Sequence, residues 1–237
     1  MTLAEITQSL AELAHARKAI SRLAAERLAQ AVRDDPSLRA RVASLLSSAE
    51  PRERWGAAYT LAQLEEAPRD AIPALLDALA SSDGDVRWAS ARLVVRAIRH
   101  RPELGETLRP LVRAASALQR KMALYCLRDL GGTPTVDATL IAAALADADA
   151  AVRLAAMSAA VAIFPHTAEA ADLLAPLLGD VEPGVRRAAA ATLGQLGVTT
   201  PAVHARLTCA TTSGDAMLER TARQALSRLA GAAPVDR

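Results

Sequence analysis

Aromatic side chains are nearly missing from this 237-residue sequence: two Trp, two Tyr and one Phe make up 2% of it. So few large rings argue against the wide cores of β-sandwiches and barrels, which draw on Phe, Tyr, Val and Ile. Lysine is almost absent too, with Lys18 and Lys121 the only two among 28 basic residues. The bias to Arg reflects a GC-rich genome and carries no functional weight. Cysteine is confined to Cys126 and Cys209, far apart in apolar helical patterns where a small buried thiol is expected, and this usage fits a reducing cytoplasm. There is no Gly/Ser- or Pro-rich linker, so one continuous body is the simpler reading. The first twenty residues include Glu5, Glu12, His15 and Arg17 and lack the apolar core of a secretory signal. The uncharged run 154–168 is alanine-rich, broken by Pro165, and shorter than the roughly 18 apolar residues that suggest a membrane span. The net charge of +2 by itself points neither to nucleic acid nor to a membrane surface.

What the sequence does contain is a repeat. Alanine and leucine dominate its apolar half, and small side chains suit closely packed helices. Arg54, Arg87, Arg120, Arg153 and Arg186 recur at a spacing of 33 residues, and the next step falls on Glu219 beside Arg220. Four residues before these positions stand Glu50, Asp83, Ser116, Asp149, Glu182 and Asp215. Their oxygen-bearing side chains suit helix starts, where backbone N–H groups lack partners and the helix dipole is positive. Three residues after the Arg stand Ala57, Ser90, Ala123, Ala156, Ala189 and Ala222, all small.

Further columns give the core. Leu61, Val94, Leu127, Ala160, Leu193 and Leu226, with Leu64, Ala97, Leu130, Ile163, Leu196 and Leu229, mark the apolar face of one helix per unit. Val42, Leu75, Leu108, Ile141, Leu174 and Leu207 mark a first helix preceding it. Each unit is therefore a helical hairpin. Extrapolation back through Leu10, Leu13, Ile20, Ala24 and Leu28 predicts about seven units: 1–33, 34–66, 67–99, 100–132, 133–165, 166–198 and 199–231. The end units serve as caps and 232–237 as a tail.

A period of this length also suits ankyrin or tetratricopeptide arrays, but their Thr-Pro-Leu-His and Trp/Leu-Gly/Tyr signatures are missing. Instead Asp83-Gly84-Asp85-Val86-Arg87 to Ala91, Asp149-Ala150-Ala151-Val152-Arg153 to Ala156, and Glu182-Pro183-Gly184-Val185-Arg186 to Ala190 resemble the Asp-x-x-Val-Arg-x-x-Ala core of HEAT repeats. Ala71-Ile72-Pro73-Ala74-Leu75-Leu76 resembles the first helix of that family, and the short period is most similar to its phycobilin-lyase-type subgroup. The resemblance covers nearly the whole chain. It implies an all-α fold, a right-handed superhelix or solenoid of about seven hairpins. It also implies that each column Arg braces the acidic helix-start residues of neighbouring repeats. Unit four departs from the pattern at Ser116-Ala117-Leu118-Gln119-Arg120, and a looser or differently angled hairpin is expected there.

In the HEAT arrangement the second helices line a concave binding face. Positions one and five residues after the column Arg, exposed by helical spacing, read Trp55 and Tyr59, Trp88 and Arg92, then Lys121 and Tyr125. Every Trp and Tyr of the chain falls in this stripe, flanked by Arg96, Arg99 and Arg128. Trp, Tyr and Arg are the residues enriched at interface hot spots. Two readings stand side by side: exposed rings that dock a partner, or rings that fill grooves between adjacent second helices.

Chemistry of other kinds finds little support in the sequence. The di-iron hydroxylases of the family depend on His-Glu pairs, and no His-Glu dipeptide occurs among His15, His100, His166 and His204. His100 and His166 share a register two units apart, which favours surface or loop roles over a shared ion. Neither Cys has a Cys-x-x-Cys partner, and Gly131-Gly132, Gly194 and Gly197 read as helix ends rather than a phosphate loop. The expected function is therefore a cytoplasmic, non-catalytic scaffold or adaptor without a cofactor or metal, holding an acidic or amphipathic protein segment. Its partner-binding residues would be Trp55, Tyr59, Trp88, Arg92, Arg96, Arg99, Lys121, Tyr125 and Arg128. The first alternative is a nucleic-acid binder using the same basic and aromatic face, loosely suggested by Tyr125 with Asp129 one turn later. The second is a pigment-lyase-like or hydroxylase-like enzyme, by fold resemblance only.

Overall fold

The computed structural model describes residues 1–231, and for 134–136 the backbone alone. The predicted tail, 232–237, lies outside the described residues. Every regular element among the described residues is helical. The chain divides into two compact units, Met1–Leu111 and a second that begins at Val112. The division falls within the fourth repeat of the sequence pattern.

The first unit contains α1 (Leu3–Glu12), α2 (Lys18–Asp34), α3 (Leu38–Ser44), α4 (Pro51–Leu61), α5 (Ile72–Asp77), α6 (Gly84–His100) and the single turn α7 (Gly105–Leu108). The second contains α8 (Ala117–Leu130), α9 (Pro134–Leu145), α10 (Ala150–Ile163), α11 (Ala168–Leu174), α12 (Pro183–Leu196), α13 (Pro201–Ala210) and α14 (Ala216–Gly231). Long helices carrying the Arg column alternate with shorter ones, several of which run into 3₁₀ turns such as Ala78–Ala80 and Ala175–Gly179. Shortening is most severe at α7, where Pro102, Gly105 and Pro110 crowd one helix-length of chain and remove amide donors or helix propensity.

The helix-start column performs as its chemistry predicts. Glu50, Asp83, Ser116, Asp149 and Asp215 each accept a hydrogen bond from a backbone N–H two or three residues ahead, as in Asp149 with Ala151 N at 2.8 Å. Glu182 occupies the same position before α12 without a side-chain cap. Gly131 and Gly197 close α8 and α12 in the left-handed conformation, at φ 80° and 73°, where a Cβ would be strained.

Two of the predicted columns are buried throughout. The first-helix column Val42, Leu75, Leu108, Ile141, Leu174 and Leu207 is at most 1% exposed, and the small column Ala57, Ser90, Ala123, Ala156, Ala189 and Ala222 is fully enclosed. Small residues are required there because second helices approach closely. A Cβ on Gly194 of α12, one position past Leu193, would lie 2.8 Å from the Ala225 Cα of α14. Burial of these columns is the main stabilising term, roughly 25 cal/mol per Å² of apolar surface.

Two sequence expectations need correction. Cys126 is buried as expected, and burial, aided by the nearby Asp129 charge, pushes its thiol up to about 12. Cys209 is exposed instead, because in α13 Val203, Leu207 and Ala210 take the inward positions. The other correction concerns the Arg column.

Candidate partner-binding surface

The column arginines act first on their own hairpins. Arg54 Nη1 donates to the Ser48 and Ala49 carbonyls at 2.8 and 2.9 Å, and Arg87 Nη1 to Ser81 and Ser82 at 2.5 and 2.9 Å. Arg120, Arg153 and Arg186 repeat the grip on Ala114 and Ala115, Asp147 and Ala148, and Asp180 and Val181. Each guanidinium thus satisfies carbonyls that the loop between the two helices leaves without partners.

The second unit adds ion pairs, two of which do not go to the helix-start acids. Arg120 forks onto Asp147 at 2.7 and 2.8 Å, and Arg153 onto Asp180 at 2.7 and 2.7 Å. These acids stand two residues before the helix starts Asp149 and Glu182, whose backbone N–H groups they also accept. Only Arg186 reaches a helix-start residue, Asp215, at 3.3 Å. The expected brace is therefore displaced by two residues in two of the three pairs, because the guanidinium lies against the loop rather than the helix end. Asp147 is held below the usual carboxylate range chiefly by the Arg120 guanidinium. For Asp180, burial pushes upward, and the Arg153 guanidinium with the Glu182 N–H outweighs it, leaving a net depression. In the first unit Ser48 and Ser81 hold the same loop position, and Arg87 Nε is buried without a hydrogen-bond partner.

The aromatic stripe separates into two kinds of residue. Trp55 of α4 is half-buried, donates from Nε1 to Ser90 Oγ of α6 at 3.0 Å, and stacks on Tyr59 with ring centroids 5.1 Å apart. Tyr59 packs in turn against the cluster of Ile6, Leu13, Ala24, Ala25 and Leu28. These two rings fill space between neighbouring helices. Trp88 of α6 is 45% exposed, and Arg92, one turn later, is exposed with no hydrogen-bond or ion-pair partner among the described residues. Farther along α6, Arg99 is exposed, whereas Arg96 donates to the Ala62 carbonyl that ends α4. Arg33 and Arg101 reinforce that same segment at the Gln63 and Ala67 carbonyls, at 3.1 and 3.2 Å.

In the second unit, Lys121 and Tyr125 of α8 are half-buried. The Arg128 guanidinium lies 4.9 Å from the Tyr125 ring centroid and pairs with Asp129 at 2.7 Å, so this corner is charge-balanced. His166 occupies a loop at φ 55° and hydrogen-bonds through Nδ1 to the Leu196 carbonyl at 2.8 Å, a local stitch at the end of α12. No group of three or more His, Cys, Asp or Glu side chains that could hold a metal ion occurs among the described residues.

Alternating helices, an Arg column on loop carbonyls and buried small-residue seams define a helical-hairpin repeat protein. More particularly, its fold is HEAT/armadillo-like, and residues 138–227 match the family described as HEAT repeats. Solved structures agree in fold. YibA of Escherichia coli is similar at 13% identity and TM-score 0.58, over 94% of this chain and 92% of that one. The archaeal HEAT-like repeats protein from Thermococcus onnurineus NA1 is similar at 13% identity and TM-score 0.54, over 96% and 97%. A designed armadillo repeat protein in complex with the peptide (KR)4 is similar at 16% identity and TM-score 0.52, over 80% and 98%. No curated protein sequence matches the chain.

Proposed function

We propose that this chain is a non-catalytic scaffold or adaptor that holds an acidic or amphipathic protein segment against its second helices, with Trp88 and Arg92 as the principal contacts. The observation that carries the reading is their juxtaposition on α6: an indole 45% exposed beside an exposed, unpaired guanidinium, in a sequence with only two Trp. Leaving a large ring in water forgoes the burial that the rest of the chain achieves, and aromatic and Arg side chains are the usual anchors of interfaces. Arg99 extends the same helix as a second cation. Lys121, Tyr125 and Arg128 offer related chemistry in the second unit.

The designed armadillo protein supports the reading at the level of fold, since that helical repeat protein is in complex with a peptide. That peptide is basic, whereas the exposed charge around Trp88 is positive, so an acidic partner is the complementary choice here. Division of residues 1–231 into seven hairpins belongs to the same proposal. No helix among the described residues is long and apolar enough to cross a membrane, and the two free thiols suit a reducing cytoplasm.

The test is affinity capture from native lysate, with and without nuclease, comparing the wild type with the Trp88→Ala/Arg92→Ala variant. The expected result is a nuclease-resistant protein partner lost in the variant at unchanged helicity. Recovery of nucleic acid, or retention of the partner by the variant, contradicts the reading.

A further inference from the structure

A small pocket in the first unit lies where the N-terminal ends of α2, α4 and α6 meet, with a volume of about 90 Å³. Its apolar walls are Leu13, Ala16, Val86 and the Trp55 ring, and its charged rim is Lys18, Arg22, Arg52, Asp83 and Asp85. Small-molecule and cofactor sites usually measure about 300–1,000 Å³. This one has the size of a single side chain.

The charge on the rim is unequally spent. Lys18 Nζ reaches Asp83 Oδ1 and Asp85 Oδ2, both at 2.9 Å, so one ammonium occupies both carboxylates. Asp83 is further committed to the Asp85 and Val86 N–H groups at the start of α6. Consistent with that arrangement, the Lys18 ammonium is shifted upward by Asp85 and Asp83, and the Asp83 carboxyl downward by Lys18. Neither the Arg22 nor the Arg52 guanidinium has a partner among the described residues. His15 adds a third donor on the rim: its Nδ1 accepts from the Arg17 N–H at 3.0 Å, which places the neutral ring's proton on Nε2.

We infer that this pocket receives one acidic side chain, Glu or Asp, of the bound protein segment, with its carboxylate between Arg22 and Arg52 and its methylenes on the Trp55 ring. Guanidinium groups suit this role because their planar donor forks match a carboxylate. Trp55, whose N–H is engaged by Ser90, presents only its ring and serves as floor. The inference rests on reading the second helices as a docking face, and supplies that face with a specific acidic anchor distinct from Trp88 and Arg92.

The experiment uses the full chain in a Trp88→Phe background, so that Trp55 alone reports by fluorescence while calorimetry gives affinity. The probe is an acetylated ten-residue peptide of alternating Ala and Glu, with Ala/Gln and Ala/Lys peptides of equal length and free glutamate as comparisons. The expected result is a Trp55 emission change with the Glu peptide only, and at least a tenfold loss of affinity in Arg22→Gln/Arg52→Gln at unchanged far-ultraviolet circular dichroism. Absence of binding, equal affinity in that variant, preference for the Lys peptide, or free glutamate binding as tightly as the peptide each overturns the pocket assignment. Arg92→Ala in the same titration separates the two readings: loss there with none in the Arg22/Arg52 variant overturns the pocket but keeps the face, and loss in neither contradicts both.

Discussion

Replacing Arg153 with Met should be the most damaging single change in the Arg column. Arg153 and Asp180 are buried, with side chains 7% and 6% exposed, and the guanidinium makes two bonds of 2.7 Å to the carboxylate. Its Nη1 also holds the Asp147 and Ala148 carbonyls at 2.7 and 3.1 Å. Met leaves an enclosed carboxylate without its counter-charge and two carbonyls without their donor. Breaking a buried pair from one side costs about 3–5 kcal/mol. Arg186→Met should cost less, about 1–2 kcal/mol, because its pair with Asp215 is 23% and 21% exposed and joined by one bond of 3.3 Å. The double change Arg153→Met/Asp180→Leu should recover much of the loss, since no lone charge remains buried. Urea unfolding followed by circular dichroism at 222 nm checks all three. A loss under about 1 kcal/mol for Arg153→Met, or equal losses at positions 153 and 186, refutes the reasoning.

Other expectations follow from the same geometry. Gly194→Ala should destabilise by about 1–3 kcal/mol, since its Cβ meets the Ala225 backbone. Gly184→Ala in the first turn of α12 meets nothing within 4 Å and should be neutral or slightly stabilising, a contrast that thermal melting measures. Maleimide labelling at neutral pH should modify Cys209 and spare Cys126, whose thiol is buried and pushed up to about 12; mass spectrometry reports which. Asp147 and Asp180 have depressed pKa values in the fold, so their stabilisation is complete above the ordinary Asp value, about 3.9, and is lost as pH falls through the folded values. Urea midpoints should therefore hold steady from pH 7 to 5 as far as these pairs are concerned. Below about pH 4 they should fall less steeply in Asp180→Asn than in the wild type; an identical slope contradicts the assignment.

The sequence made the repeat readable because burial repeats with it. The Leu75 and Ala123 columns must be apolar and small wherever hairpins stack, and each of their members is enclosed. Helix starts were readable for a local reason, since Asp83 and Asp149 bond to N–H groups two or three residues away. Contacts between repeats were harder to read. Nothing in the period distinguishes Asp147 from Asp149 as the partner of Arg120; an Asp six residues before the next column Arg, in place of Ser48 or Ser81, was the available signal. Trp55 and Trp88 hold equivalent positions, and yet one donates to Ser90 while the other is 45% exposed. What separates them is the neighbouring helix, which a one-dimensional pattern does not contain. The pocket at Arg22 and Arg52 was invisible for the same reason, being assembled from three hairpins, with Arg52 and Asp85 of opposite charge standing in one column.

The most direct test of the docking face is a photoreactive phenylalanine analogue at position 88, which keeps an aromatic ring there and leaves Arg92 in place, cross-linked in native extract with and without nuclease, with one at exposed position 39 of α3 as control. The account predicts a nuclease-resistant adduct to an acidic or amphipathic segment of one protein, formed at 88 and not at 39. Cross-linking to nucleic acid, or equal adducts at both positions, contradicts it.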